Sequence, residues 1–104
     1  MILFEWDENK NVTNISKHKV SFEEASTTFY DDDAIIIDDP DHSDDSEERF
    51  LLLGISLRSN ILIVCHCCRN SGKDNESIRI ISARKANKHE SRVYFERKKY
   101  ERSI

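Results

Sequence analysis

Four β-type segments follow one another between residues 34 and 83, and the stretches joining them are too short and too polar for crossover helices. Ala34-Ile35-Ile36-Ile37 is short and β-branched. The acidic loop Asp38 to Ser46, broken by Pro40, leads to the segment Glu48 to Ser56. The turn Leu57-Arg58-Ser59-Asn60 joins that segment to Ile61–Cys68, and a polar loop from Arg69 to Asn75 leads into Glu76–Ala83. Parallel neighbours need a crossover of a dozen or more residues, so strands joined this closely form an antiparallel meander. Whatever else the chain forms has to pack on that sheet.

The flanks supply the rest. Ile2, Phe4 and Trp6 alternate with Leu3, Glu5 and Asp7, which predicts a strand over 2–6. Asp7 is placed to cap a short helix, Asn9 to His18, with Val12 and Ile15 at helical spacing. Ser21 and Glu24 fit a capping box for a second helix, which runs to about Tyr30 and buries Phe22, Ala25 and Phe29. Asp31-Asp32-Asp33 ends it by like-charge repulsion. Ala86 to about Arg102 reads as a basic helix, with Val93, Tyr94 and Tyr100 as inward candidates. The order β-α-α-β-β-β-β-α gives an α+β fold: one domain over 1–104, an antiparallel sheet, and helices against one face.

Charge is divided along the chain. Residues 1–50 hold four Lys/Arg against fifteen Asp/Glu, a net of −11, and residues 51–104 hold twelve against five, a net of +7. A chain of net charge −4 does not look like a polyanion binder, but one whose fold gathers the basic half on a single surface is suited to be one. No apolar run approaches the roughly 20 residues that span a bilayer. The N-terminus lacks the basic start and apolar middle of a signal peptide, so a cytoplasmic location is expected.

Several chemistries are disfavoured. Two glycines, Gly54 and Gly72, cannot build a glycine-rich phosphate loop. In Cys65-His66-Cys67-Cys68, a strand sends Cys65 and Cys67 to one side and His66 and Cys68 to the other, so the four do not converge on a metal. The acidic loop lacks the glycine and glutamate spacing of a calcium-binding loop, and His42 within it is not a catalytic candidate. No metal or other cofactor is expected.

A resemblance runs over nearly the whole chain. Phe4-Glu5-Trp6-Asp7 opens it, followed by Lys10, Asn14, Lys17-His18 and Phe22-Glu23-Glu24-Ala25. Glu48-Arg49 and Gly54 come next, then Ile78-Arg79-Ile80-Ile81-Ser82-Ala83-Arg84-Lys85-Ala86, with Glu90 and Tyr94 beyond. Together these resemble the BrnT family of toxins. The resemblance implies a RelE-like fold and the toxin half of a type II toxin–antitoxin pair, which cleaves RNA and stops translation. It also implies a partner, a BrnA antitoxin whose ribbon-helix-helix domain binds operator DNA, and hence a hetero-oligomer. One position departs from the pattern: the family commonly has Gly after Lys-His, where this chain has Lys19.

Metal-independent RNA cleavage needs a group to deprotonate the ribose 2′-hydroxyl, a group to stabilise the phosphorane-like charge, and a proton for the 5′-oxygen. Arginine suits the second role, because its planar guanidinium pairs two phosphate oxygens and keeps its charge. Arg79, Arg84 and Arg49 are the candidates. Arg79 and Arg84 stand an odd number of positions apart, so an ideal strand points them to opposite sides and only one enters a site. His18 is the acid–base candidate, since an ordinary imidazole titrates near neutrality, with Glu90 as the alternative base. Lys17 is placed to contact phosphate. Lys and His also suit an ordinary helix C-terminus, and Glu90 also suits a helix-face ion pair. Lys85, Lys88, Arg92 and Tyr94 are the expected RNA contacts along the basic helix. A module that binds nucleic acid or a partner through this half without catalysis fits the same residues.

Overall fold

The computed structural model describes residues 2–38, 48–70 and 76–103. The greater part of the acidic loop, His42 and the loop around Gly72 lie outside the described residues, as does the side chain of Tyr100. The elements are β1 (Ile2–Glu5), α1 (Glu8–His18), α2 (Phe22–Thr27) with a 3-10 turn (Thr28–Tyr30), β2 (Ile35–Asp38), β3 (Phe50–Ile55), β4 (Ile61–Asn70), β5 (Glu76–Lys85) and α3 (Lys88–Ser103). They follow the order expected from the sequence.

Five strands form one sheet in the order β1-β5-β4-β3-β2. β2 to β5 make the antiparallel meander. β1 joins the far edge parallel to β5, with Phe4 beside Ile78 and Glu5 beside Arg79. The long α1–α2 connection carries the chain from one sheet edge to the other, and this frees β1 from antiparallel pairing.

The helices cover both faces, not one. On the first face, Leu52, Leu62, Val64, Ile78, Ile80 and Ala83 meet Val20, Phe22 and Ala25, with Ile2, Phe4, Trp6 and Phe29 packed around them. On the second, Ile35, Leu53 and Ile63 meet Tyr94 of α3. Burial from both sides explains why β4 begins with the unbroken apolar run Ile61-Leu62-Ile63-Val64.

α1 packs through amides and not through Val12 and Ile15, its apolar pair at helical spacing. Val12 is 60% and Ile15 41% exposed, whereas Asn11 and Asn14 are buried. The helix lies against the edge of β5 beyond the reach of β1 and against the loop before α2, and an amide can bond such backbone where an aliphatic side chain cannot. Asn11 Oδ1 accepts from the Phe22 N–H at 2.8 Å. Asn14 Nδ2 donates to the carbonyls of Val20 (2.9 Å) and Ala83 (2.8 Å), and its Oδ1 accepts from the Ala83 N–H (3.1 Å).

Capping follows the sequence signals in part. Asp7 accepts from the N–H groups of Asn9 and Lys10. Ser21 accepts from the Glu24 N–H at 3.0 Å. The Glu24 carboxylate is turned toward the β3–β4 turn, where the Ser56 hydroxyl and the Asn60 amide donate to it at 2.7 and 2.8 Å. At α3 the box is reciprocal: the Glu90 N–H donates to Asn87 Oδ1, and the Asn87 N–H donates to Glu90 Oε1. α1 ends at Lys19 in the left-handed region, φ 61°, its N–H bonded to the Ile15 carbonyl.

A bulge interrupts the β4–β5 ladder. Cys65 pairs with Ser82 but His66 pairs with Ile80, so Ile81 has no partner in the β4 register. One extra residue reverses the alternation that follows it.

Candidate active site

The bulge decides which side chains share a face. Ile78, Ile80 and Ala83 all point into the first core. Arg79 before the bulge and Arg84 after it therefore both lie on the opposite, α3-bearing face. The expectation that they diverge is corrected: five positions separate them, but one of those is the bulged residue. Their Cα atoms stand roughly 15 Å apart along the strand, which lets two long side chains address neighbouring parts of one polyanion.

Arg49 joins this face. Phe50, the first residue of β3, pairs with His66 on the opposite face, so by alternation Arg49 just before it falls on the side of Arg79, which pairs with Cys67. Cys67, opposite Arg79, is fully buried. Arg49 Nε is buried and has no hydrogen-bond partner among the described residues. Glu5 on β1 restrains the cationic row, with Arg69 at 3.2 Å and Arg79 at 4.0 Å from its carboxylate.

Arg84 is held by Glu90. Two parallel bonds of 2.8 Å join its guanidinium to both carboxylate oxygens. This fork raises the Arg84 pKa and, with the N–H of Asn87, holds the Glu90 carboxyl at about 2. A carboxylate this acidic, locked into a capping box and an arginine fork, is a weak proton acceptor at neutral pH. The same two bonds fix the direction of the Arg84 guanidinium. The pattern Asn87-Lys88-His89-Glu90 is itself a capping-box signature, and it is the readable sign of this arrangement.

Lys17 and His18 sit in the last turn of α1, both exposed. They line a groove of about 320 Å³ between α1 and the β5 bulge, together with Lys10, Thr13 and Ser82. His18 lies one helical turn beyond Asn14, and Arg84 lies one residue beyond Ala83, which Asn14 grips. The bulge thus stands between the arginine face and the histidine groove.

The remaining candidates divide. Lys85, Lys88 and Arg92 are exposed at the end of β5 and on the first half of α3. Tyr94 is fully buried, and its hydroxyl donates to Asp31 Oδ2 at 2.6 Å, so in this arrangement it is an anchor of α3 and not a surface for a base. Burial works to raise the pKa of Asp31, but bonds from the Ile55 N–H, the Tyr94 hydroxyl and the Asp33 N–H outweigh it and leave the group below its ordinary value. Cys65 and Cys67 share the α3 face, while His66 lies in the opposite core against the edge of Phe29. Among the described residues no three His, Cys, Asp or Glu side chains gather as a metal site. Nor is any described helix long and apolar enough to cross a membrane.

Comparison with known proteins adds a family and a fold. A family model described as "Ribonuclease toxin, BrnT, of type II toxin-antitoxin system" matches residues 6–90. The crystal structure of the Brucella abortus ribonuclease toxin, BrnT, is similar in fold, with a TM-score of 0.56 and 23% sequence identity over 85% of this chain and 99% of that one. A search of curated proteins gave no match.

Proposed function

The chain belongs to the BrnT family, the ribonuclease toxins of type II toxin–antitoxin systems, and from that premise we propose that it is a metal-independent endoribonuclease that cuts RNA in the cytoplasm and thereby stops translation. The observation that carries this reading is the placement of Arg79 and Arg84 on one face of β5 by the Ile81 bulge, with the His18 groove at the adjoining edge.

Arg84, Arg79 and Arg49 bind the scissile phosphate and its neighbours and neutralise the charge that grows as phosphorus becomes five-coordinate. His18 takes the proton of the 2′-hydroxyl, whose oxygen then bonds to phosphorus. The bond to the 5′-oxygen breaks, and that oxygen takes a proton from solvent water, giving a cyclic phosphate and a free 5′-hydroxyl. Lys17 contributes positive charge beside the imidazole. Glu90 acts through Arg84 by fixing its fork. Lys85, Lys88 and Arg92 guide the strand by charge.

The switch is an antitoxin. A type II family implies one, and we assign it to the BrnA-like ribbon-helix-helix class, forming a hetero-oligomer with this chain and reaching operator DNA only through the antitoxin. Expression in a bacterial host tests the reading. Induction of the wild type is expected to arrest growth, and Arg84→Ala, purified as a folded protein, is expected to lose the arrest. Full arrest by the folded variant contradicts the arginine mechanism.

A further inference from the structure

The groove between α1 and the β5 bulge runs along α1 from His18 back to Lys10, about two helical turns away. Lys10, Thr13 and Lys17 follow one another at i, i+3 and i+7, so one face of α1 presents two ammonium groups to it. Ile81 and Ser82, at the bulge, form the β5 side of the groove. No residue lining the groove is acidic, although the chain carries twenty Asp and Glu. β1 covers the edge of β5 only as far as Arg79, and Asn14 takes over at Ala83, so the groove opens where the sheet edge is bare of strand.

We propose that this groove is a second phosphate subsite, in which Lys10 and Lys17 hold the RNA phosphodiester next to the scissile one. The inference rests on the ribonuclease reading and adds to it a path for the substrate. The strand leaves the arginine face, crosses the edge of β5 at the bulge, and lays its next phosphate against α1. A single strand can bend over such an edge, whereas an A-form duplex keeps its phosphates on a stiff, broad surface. Ammonium groups suit a backbone subsite, because they act as point charges on flexible stems and place no demand on base identity.

Binding of a 2′-O-methyl oligoribonucleotide, which cannot be cleaved by 2′-oxygen attack, tests the subsite on the full chain over a range of salt concentrations. Lys10→Ala is expected to weaken binding by about three- to tenfold and to lower the salt slope by about 0.7, the loss of one single-strand phosphate contact. Lys10→Arg is expected to restore both. With a cleavable strand, the defect of Lys10→Ala should appear in KM and far less in kcat. Unchanged affinity and slope in a folded Lys10→Ala protein overturn the proposal. Inorganic phosphate provides a second arm: if it binds as tightly as the oligonucleotide and depends equally on Lys10, the groove is a free-anion site and the RNA assignment falls. RNA cleavage by the wild type with no effect of Lys10→Ala removes the subsite and leaves the ribonuclease. Lys10-dependent binding with no cleavage by the wild type does the reverse.

Discussion

Asn14 and Ala83 exchange two hydrogen bonds across 69 positions of sequence, one amide satisfying both backbone groups of a strand residue. The same amide also donates to the Val20 carbonyl. It stands in for the strand that β1 does not extend to supply, and it fixes α1 beside the bulge. Asn14→Ala leaves two buried carbonyls and one buried N–H without partners. The expected cost is on the order of 2–4 kcal/mol, read as a lower urea midpoint. An unchanged midpoint would show that the clasp holds nothing.

Much of this is readable in the residues. The apolar, β-branched segments mark the meander, Asp7 and Ser21 mark two helix starts, and the arginines of the last strand stand out by charge. Other features are hidden for physical reasons. Ile80 and Ile81 are both apolar, so the sequence does not show which one is extra, and the face that Arg84 takes cannot be read from spacing alone. Val12 and Ile15 have the spacing of a buried stripe, but an unpaired strand edge rewards amides, and α1 turns Asn11 and Asn14 inward. The parallel pairing of β1 depends on where the two-helix connection delivers the chain, and no local pattern records that.

The Arg84–Glu90 fork makes stability depend on acid. The folded carboxyl titrates at about 2, below its ordinary value of 4.5, so its contribution is complete above about 4.5 and disappears as pH falls toward 2. The melting temperature of the wild type should therefore exceed that of Glu90→Gln at pH 7, and the gap should close between pH 4.5 and 2. A gap independent of pH would assign the loss to the cap rather than to the charge.

Lys19 holds a left-handed backbone, φ 61°, a conformation that glycine adopts without cost. Lys19→Gly removes the clash of Cβ with the carbonyl oxygen. It should raise stability by up to about 1 kcal/mol, since the unfolded chain gains some freedom as well. Thermal denaturation of the two proteins at equal concentration measures it, and a lower melting temperature for the glycine variant contradicts the strain.

Tyr94 fastens α3 to the rest of the fold through Asp31, which also accepts from the Ile55 N–H. Tyr94→Phe keeps the ring and removes the hydroxyl. A hydrogen bond to a charged acceptor is worth about 1.5–3 kcal/mol, so denaturant unfolding should shift by that amount. Hydrogen exchange in α3 should quicken before exchange in β4. Uniform quickening across the chain would mean that α3 does not open by itself.

The most direct measurement incubates the purified wild type with naked RNA in EDTA at low salt, beside Arg79→Ala/Arg84→Ala. Cleavage by the wild type that leaves cyclic phosphate and 5′-hydroxyl ends is expected, reduced by roughly 10²- to 10³-fold or more in the folded double variant. Equal cleavage by both proteins, or cleavage that EDTA abolishes, contradicts the metal-independent arginine mechanism.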